Sequence, residues 1–200
     1  MAYPTVAAPY GLQPINLVGG QVYAGQVRQI PIASGSSTDI FYGDIVALDT
    51  NGQLVKVTTT DSATNAVGVF LGCSYTNPAT QQPLFYQCYN GPVTASDIKA
   101  FVQDDPDQLY KVAVVSATTT ISGVTRAAVG QNAALVQNTG STTTGDSKVA
   151  VLATTGTATT LPLRIIDVVP ETANASGSYT EVIVKFGIGV HTYTTAVAVA

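Results

Sequence analysis

The sequence has few charged residues. Lys, Arg, Asp and Glu make up 10% of its 200 residues, against about 25% in typical soluble domains. Sheet proteins commonly protect exposed strand edges with charges, and the cores of protein interfaces are depleted in charge. The composition therefore favours a surface that neighbouring subunits cover. The alternative is a surface solvated by threonine and asparagine.

Basic residues are scarce and long apolar runs are missing. The eight Lys and Arg residues are scattered through a chain of net charge −4, so no basic stripe exists to neutralise phosphates and direct nucleic-acid binding is not expected. No run of about 18 apolar residues predicts a membrane span. The first residues, MAYPTVAAPYG, lack the charged and apolar regions of a secretory signal. We therefore expect a protein that folds in a cytoplasm.

The residues that usually carry catalysis or bind metals are also rare. His191 is the only histidine. It lies in a predicted strand, and the sequence has no G-x-S-x-G motif to supply a serine nucleophile. We therefore expect a histidine on a strand surface or in an interface. Cys73 and Cys88 are expected to be reduced and to behave as small hydrophobic residues, because two thiols without histidine partners make a poor zinc site.

The acidic residues do not form a recognisable site. Asp104, Asp105 and Asp107 are clustered, but the sixth and twelfth positions of an EF-hand loop counted from Asp105 hold Tyr110 and Ser116, so the calcium motif fails. We expect a solvated turn. The two glutamates of the chain, Glu171 and Glu181, leave little material for paired acid–base chemistry.

Two short motifs have ordinary explanations. Gly187-Ile188-Gly189 lies inside a predicted strand without a following helix, which indicates a bulge or close backbone approach rather than a phosphate site. Asn174-Ala175-Ser176 matches a glycosylation sequon by chance. The sequence thus predicts no catalytic, cofactor-binding or metal residues, no cofactor and no enzyme activity. The ten tyrosines favour assembly, since tyrosine is enriched at protein interfaces.

What the sequence does contain is a succession of short β-patterns separated by turn signals. The stretch from Ile40 to Tyr75 reads as three or four strands, with Asn51-Gly52 as a strong hairpin signal. Pro31 suits an edge or a bulge of a strand over residues 27–32. We predict an all-β fold, a small β-barrel or β-sandwich in which each strand buries one face.

The organisation along the chain has three parts. Residues 1–22 are predicted to form an extended N-terminal arm, which docks either on another chain or on its own domain. Residues 23–140 form the main β-domain, and residues 141–200 form C-terminal β-segments, in the same domain or in a small second subdomain. Within this scheme Ala127–Val136 is the best helix candidate, Thr118–Val124 a hairpin about Ser122-Gly123, and Glu181–Tyr193 a long strand.

An ordered set of motifs resembles a family of tailed-bacteriophage virion proteins. It covers most of the chain from about residue 10 to residue 193. The matching stretches, in order, are IPIASG (residues 30–35), DIFYGDIV (39–46), VGVFLG (67–72), FVQDDPD (101–107), NTGSTTTG (138–145), LRII (163–166) and VIVKF (182–186).

The resemblance implies a capsid decoration (cement) or head-associated structural protein, of the kind found in marine and cyanobacterial phages. Its expected partners are the major capsid protein and further copies of itself in a trimer. Its expected location is the outer surface of the capsid, after synthesis in the bacterial host cytoplasm. The alternatives are a tail, fibre or head-fibre component that contacts the host surface and, from another class, a small carbohydrate-binding or hydrolytic β-protein.

Overall fold

The structure, a computed structural model, describes residues 6–58, 65–187, 191, 193 and 194. The all-β prediction is confirmed, because 46% of the chain is strand and 3% is helical. Two short 3-10 helices span Arg126–Ala128 and Pro170–Thr172. The strands are β1 (Gln13–Leu17), β2 (Arg28–Pro31), β3 (Ile45–Leu48), β4 (Leu54–Lys56), β5 (Ala66–Thr76), β6 (Pro83–Tyr86), β7 (Lys99–Gln103), β8 (Gln108–Ala117), β9 (Thr120–Ile121), β10 (Val124–Thr125), β11 (Asn132–Val136), β12 (Ala150–Gly156), β13 (Leu163–Val168), β14 (Ser178–Tyr179) and β15 (Glu181–Phe186).

Five strands close into a small barrel, which confirms the barrel alternative. The order is β8-β12-β11-β13-β15, and β15 pairs back onto β8. The β8–β12 pair is parallel and the other four pairs are antiparallel. Alternate residues of these strands fill the interior, among them Tyr110, Val112, Leu135, Leu163, Ile165, Val184 and Phe186. Residues 150–186 therefore contribute strands to the same barrel as residues 108–136.

The described part of the N-terminal segment packs on its own domain. Strand β1 pairs antiparallel with β8, with Gln13 opposite Lys111 and Leu17 opposite Gln108. Leu12 is fully buried in the barrel core. Residues 12–17 therefore dock on their own domain, and they are not available to cross to another chain.

A second sheet is built around the hairpin that the sequence predicted. Its order is β2-β7-β5-β3-β4, and β6 pairs with the far end of β5. The β3–β4 turn forms at Asn51-Gly52, where the Asp49 carboxylate accepts hydrogen bonds from the backbone N–H groups of Asn51 and Gln53 at 2.8 and 2.7 Å. Pro31 ends β2 at the edge of the sheet, as its missing N–H requires.

The centre of this sheet is buried on both faces, contrary to the expectation of one buried face for each strand. Ile45 and Val69 pack into the barrel core, whereas Val46 and Phe70 pack beneath the loops that carry Ile40 and Tyr89. The sheet lies between the barrel and a layer of loops, which is why β3 and the first half of β5 are continuously apolar. A Cβ atom at Gly68 would lie 2.1 Å from the Gln103 carbonyl oxygen, so β5 and β7 approach too closely there for any side chain.

Two local predictions were wrong. Residues 127–136 do not form a helix, because Asn132–Val136 is strand β11, with β12 on one side and β13 on the other. The short 3-10 helix ends at Ala128, because Val129 already has an extended backbone, and Gly130 follows with a positive φ of +85° before the strand begins. Residues 118–124 do not form a hairpin about Ser122-Gly123 either, since β9 pairs with β8 and β10 pairs with β14.

A buried carboxylate joins the two sheets. Asp44 is fully buried, and Lys56 Nζ lies 2.6 Å from its Oδ2 atom. Oδ2 also accepts a hydrogen bond from the Phe41 N–H at 2.8 Å, and Oδ1 accepts one from the Ser147 hydroxyl at 2.6 Å. Ser147 precedes barrel strand β12, so the second sheet is fastened to the barrel at this carboxylate.

We expect the Asp44→Ala substitution to lower the free energy of unfolding by about 3–5 kcal/mol, because Lys56 is then left buried without its partner. Urea titration followed by circular dichroism measures the loss. The double variant Asp44→Ala/Lys56→Met should recover the part of the loss that the unpaired charge causes, whereas the hydrogen bonds from the Phe41 N–H and the Ser147 hydroxyl stay broken. Asp167→Ala, which breaks the exposed pair with Arg126, should cost about 1 kcal/mol or less. Equal effects of the two single substitutions would contradict this role of Asp44.

Candidate functional site

His191 is buried, which corrects the expectation of a surface or interface histidine. Only 2% of the residue is exposed, and its ring packs edge-on against Phe186 and Tyr193. Nε2–H donates to the carbonyl oxygen of Asp104 at 3.1 Å, and Nδ1 accepts from the N–H of Tyr193 at 3.3 Å. These contacts suit one neutral tautomer. Burial lowers the pKa of His191 below its ordinary value of 6.5.

The acidic cluster of Asp104, Asp105 and Asp107 forms a turn, as expected, but two of its carboxylates are paired with basic side chains. Asp104 lies 2.9 Å from Arg28 Nε on β2, and Asp107 lies 2.8 Å from Lys185 Nζ on β15. The Asp105 carboxylate accepts a hydrogen bond from the N–H of Asp107 at 2.8 Å. The turn between β7 and β8 therefore ties both sheets together. Within the described residues, no three His, Cys, Asp or Glu side chains are grouped to hold a metal ion.

The two cysteines are unpaired in the structure. Cys73 is buried, and its Sγ lies 3.5 Å from the carbonyl oxygen of Cys88. Burial, with a smaller contribution from the neighbouring Cys88, raises the pKa of Cys73 to about 12. A thiol with such a pKa stays protonated at neutral pH and is a poor nucleophile. Cys88 is partly exposed, and burial raises its pKa as well.

Glu181 has a structural role that the sequence did not reveal. Its carboxylate accepts a hydrogen bond from the Tyr10 hydroxyl and lies 3.6 Å from Lys111 Nζ. Burial and this carboxylate together raise the pKa of Tyr10 above its ordinary range. The three side chains attach the segment before β1 to the outer wall of the barrel, so they stabilise the fold.

The most distinctive surface is the β5–β6 hairpin. Phe85 is 74% exposed and Tyr86 is 47% exposed, which is unusual for large apolar side chains. Tyr75 stacks on Tyr86 with ring centroids 5.7 Å apart. We call the exposed side chains of Phe85 and Tyr86, together with the half-buried Leu84 and Tyr75, the hairpin surface.

The hairpin surface carries no charge. Between Asp61 and Asp97 the sequence has no Asp, Glu, Lys or Arg. Depletion of charge together with exposed aromatic side chains is the composition of an interface core. The hairpin surface is therefore a candidate interaction site.

The hairpin also presents an open edge. Strand β6 pairs with β5 on one side, with Tyr86 opposite Cys73 and Pro83 opposite Thr76, and no other strand of the described chain pairs with β6. Strand β5 is anchored next to the hairpin turn, because the Thr76 hydroxyl and N–H donate to the Asp97 carboxylate at 2.6 and 3.1 Å. A partner strand can therefore add to β6 through backbone hydrogen bonds while its side chains contact the aromatic rings.

Comparisons with known proteins give no match: no family model, no curated protein and no solved structure matches this chain. Among the described residues, no helix has the length and apolar character needed to cross a membrane.

The buried His191 makes stability depend on pH. Because its pKa is lower in the folded protein than in the unfolded chain, the unfolded chain binds more protons between the two values. We expect the melting temperature to fall as the pH drops below about 6.5, and to level off below the folded-state pKa. His191→Gln should lower stability overall and flatten this dependence. Calorimetry from pH 5.5 to 7.5 tests both, and an unchanged pH dependence in the variant would refute the assignment.

Proposed function

We propose that this protein is a virion structural protein that decorates the head of a tailed bacteriophage. In this proposal it bridges major capsid protein subunits on the outer surface of the head, and the hairpin surface makes the contact. The observation that carries the proposal is the exposed, uncharged and aromatic strand β6 with its open edge. The ordered sequence motifs that resemble phage virion proteins support the same role.

The mechanics of a phage head explain what such a protein must do. Packaged DNA presses outward, and a bridging protein resists by holding adjacent capsomers together at their seams. This task requires a stiff body and a contact area that excludes water. The closed barrel and the second sheet fastened to it at Asp44 supply the stiff body. The acidic net charge of −4 suits the outer surface better than the DNA-facing interior.

The described contacts alter which part of the chain does the bridging. Tyr10, Gly11 and residues 12–17 contact the barrel of their own chain, so in our proposal an N-terminal arm that crosses to a neighbour is restricted to residues before Tyr10. The hairpin surface takes over the bridging role in our proposal. A trimer at three-fold positions of the lattice remains the proposed arrangement, because closed symmetry uses identical contacts in each copy.

One observation favours a second candidate of another class. The stacked pair Tyr75 and Tyr86 is partly exposed, and exposed aromatic rings can stack on the apolar faces of sugars. Phe85, however, is adjacent to Tyr86 in the strand and therefore projects from the opposite face of the hairpin. The three rings do not make one flat platform, so the protein-binding proposal accounts for more of the surface than a carbohydrate site does.

We expect Phe85→Asp to reduce binding to the capsid at least ten-fold, because it replaces the most exposed aromatic side chain of β6 with a charge. The assay is co-sedimentation of the full chain with heads assembled from the major capsid protein of the phage that encodes it. Since Phe85 is mostly exposed, the substitution should change the free energy of unfolding by only about 0.5 kcal/mol.

Two further variants serve as controls. Val22→Asp introduces the same charge at a residue that is 81% exposed and lies outside the hairpin surface, so it should leave binding unchanged. Phe85→Tyr keeps an aromatic ring and should retain binding. If Phe85→Asp sediments with the heads as well as the wild-type protein does, the hairpin is not the contact. If the wild-type protein binds oligosaccharides and not heads, the carbohydrate candidate replaces this proposal.

A further inference from the structure

A cavity of about 510 Å³ lies against the outer wall of the barrel. Its size falls within the range of about 300–1,000 Å³ that is typical of small-molecule sites. Strands β13 and β15 form its base, where Arg164 and Lys185 stand opposite each other in register. Leu163 and Ile165 point into the barrel core, so the alternation of the strand directs Arg164 outward, towards the cavity.

The lining is largely apolar with two cationic groups. Apolar surface comes from Val18, which follows β1, from Leu161 in the loop before β13, and from Ile166. No Asp or Glu is among the residues that line the cavity. Two cations beside an apolar wall are notable in a chain that has only eight Lys and Arg residues.

The Arg164 side chain is held in a fixed orientation. Its Nε–H donates to the Oδ1 atom of Asn132 at 3.0 Å. Asn132 is only 7% exposed, and its Nδ2–H donates to the carbonyl oxygen of Ala158 at 3.0 Å. Asn132 thus fixes both the guanidinium and the loop that forms one wall. A guanidinium with a fixed orientation loses little freedom when it binds a planar anion.

The charges in the cavity are not balanced. Lys185 is paired with Asp107 at 2.8 Å, which neutralises its charge. Arg164 has no carboxylate within ion-pairing distance among the described residues, unlike Arg28 and Arg126, which pair with Asp104 and Asp167. The cavity therefore offers one uncompensated positive charge next to apolar surface.

We propose that this cavity binds a small amphipathic carboxylic acid, with its carboxylate on the guanidinium of Arg164 and its apolar chain against Val18, Leu161 and Ile166. A carboxylate matches the fork geometry of a guanidinium, and its single negative charge equals the one positive charge left uncompensated. The ligand also needs an apolar chain, because binding is favoured when apolar ligand surface and the apolar walls of the cavity are both removed from water. This site is separate from the hairpin surface and does not depend on the virion role.

The test uses octanoate as the probe and octanamide as its uncharged analogue of the same chain length, titrated into the full chain by calorimetry. We expect saturable binding of one octanoate, with octanamide at least ten-fold weaker. Arg164→Gln should weaken octanoate binding at least ten-fold. Arg126→Gln, the same substitution at an arginine outside the cavity, should leave it unchanged.

A second variant keeps the test valid if Arg164→Gln does not fold, because that substitution removes a hydrogen bond from the buried Asn132. Leu161→Asp keeps that hydrogen bond and places a negative charge in the cavity wall, so it should also weaken octanoate at least ten-fold. Thermal unfolding shows whether each variant is folded. The proposal is overturned if octanoate fails to saturate the wild-type protein, if octanamide binds equally well, or if folded Arg164→Gln or Leu161→Asp binds octanoate like the wild-type protein.

Discussion

The buried carboxylate of Asp44 is the constraint on which the arrangement of the two sheets depends. It holds Lys56 of β4, the Phe41 backbone and the Ser147 hydroxyl beside the barrel. The N-terminal segment passes the same point, where a Cβ atom at Gly11 would lie 2.7 Å from the Cβ of Ser147. A buried ion pair is costly to desolvate, but once formed it makes separation of its parts unfavourable, because one charge would be left buried alone. The barrel, the second sheet and the N-terminal segment therefore behave as one body.

This rigidity explains how a chain with little charge can present an interaction surface without losing its shape. The apolar side chains of the barrel and of the second sheet are buried from both sides, so the exposed Phe85 and Tyr86 are not needed for folding. The hairpin surface and the cavity beside Arg164 lie on different sheets. A protein that attaches to a large assembly through one of them leaves the other accessible.

Local features of the chain were predictable from sequence, and features that depend on distant pairing were not. Asn51-Gly52 specified its turn through backbone conformations that few other residues adopt. Residues 132–136 were misjudged as helix, because their strand exists only through pairing with residues from 150–156 and 163–164. The burial of His191 depends likewise on Phe186 and on the distant Asp104. Phe70 and Phe85 stand in similar β-patterns, and only the layering of the sheet leaves one buried and the other exposed.

Electron cryo-microscopy of native particles of the phage to which we assign this chain in our proposal tests the central claim most directly. The account predicts density for the chain on the outside of the head, over the junctions between capsomers, with strand β6 against a major capsid protein subunit. Density on the tail instead would assign the chain to adsorption or tail structure. Absence of the chain from the particles would contradict the virion role altogether.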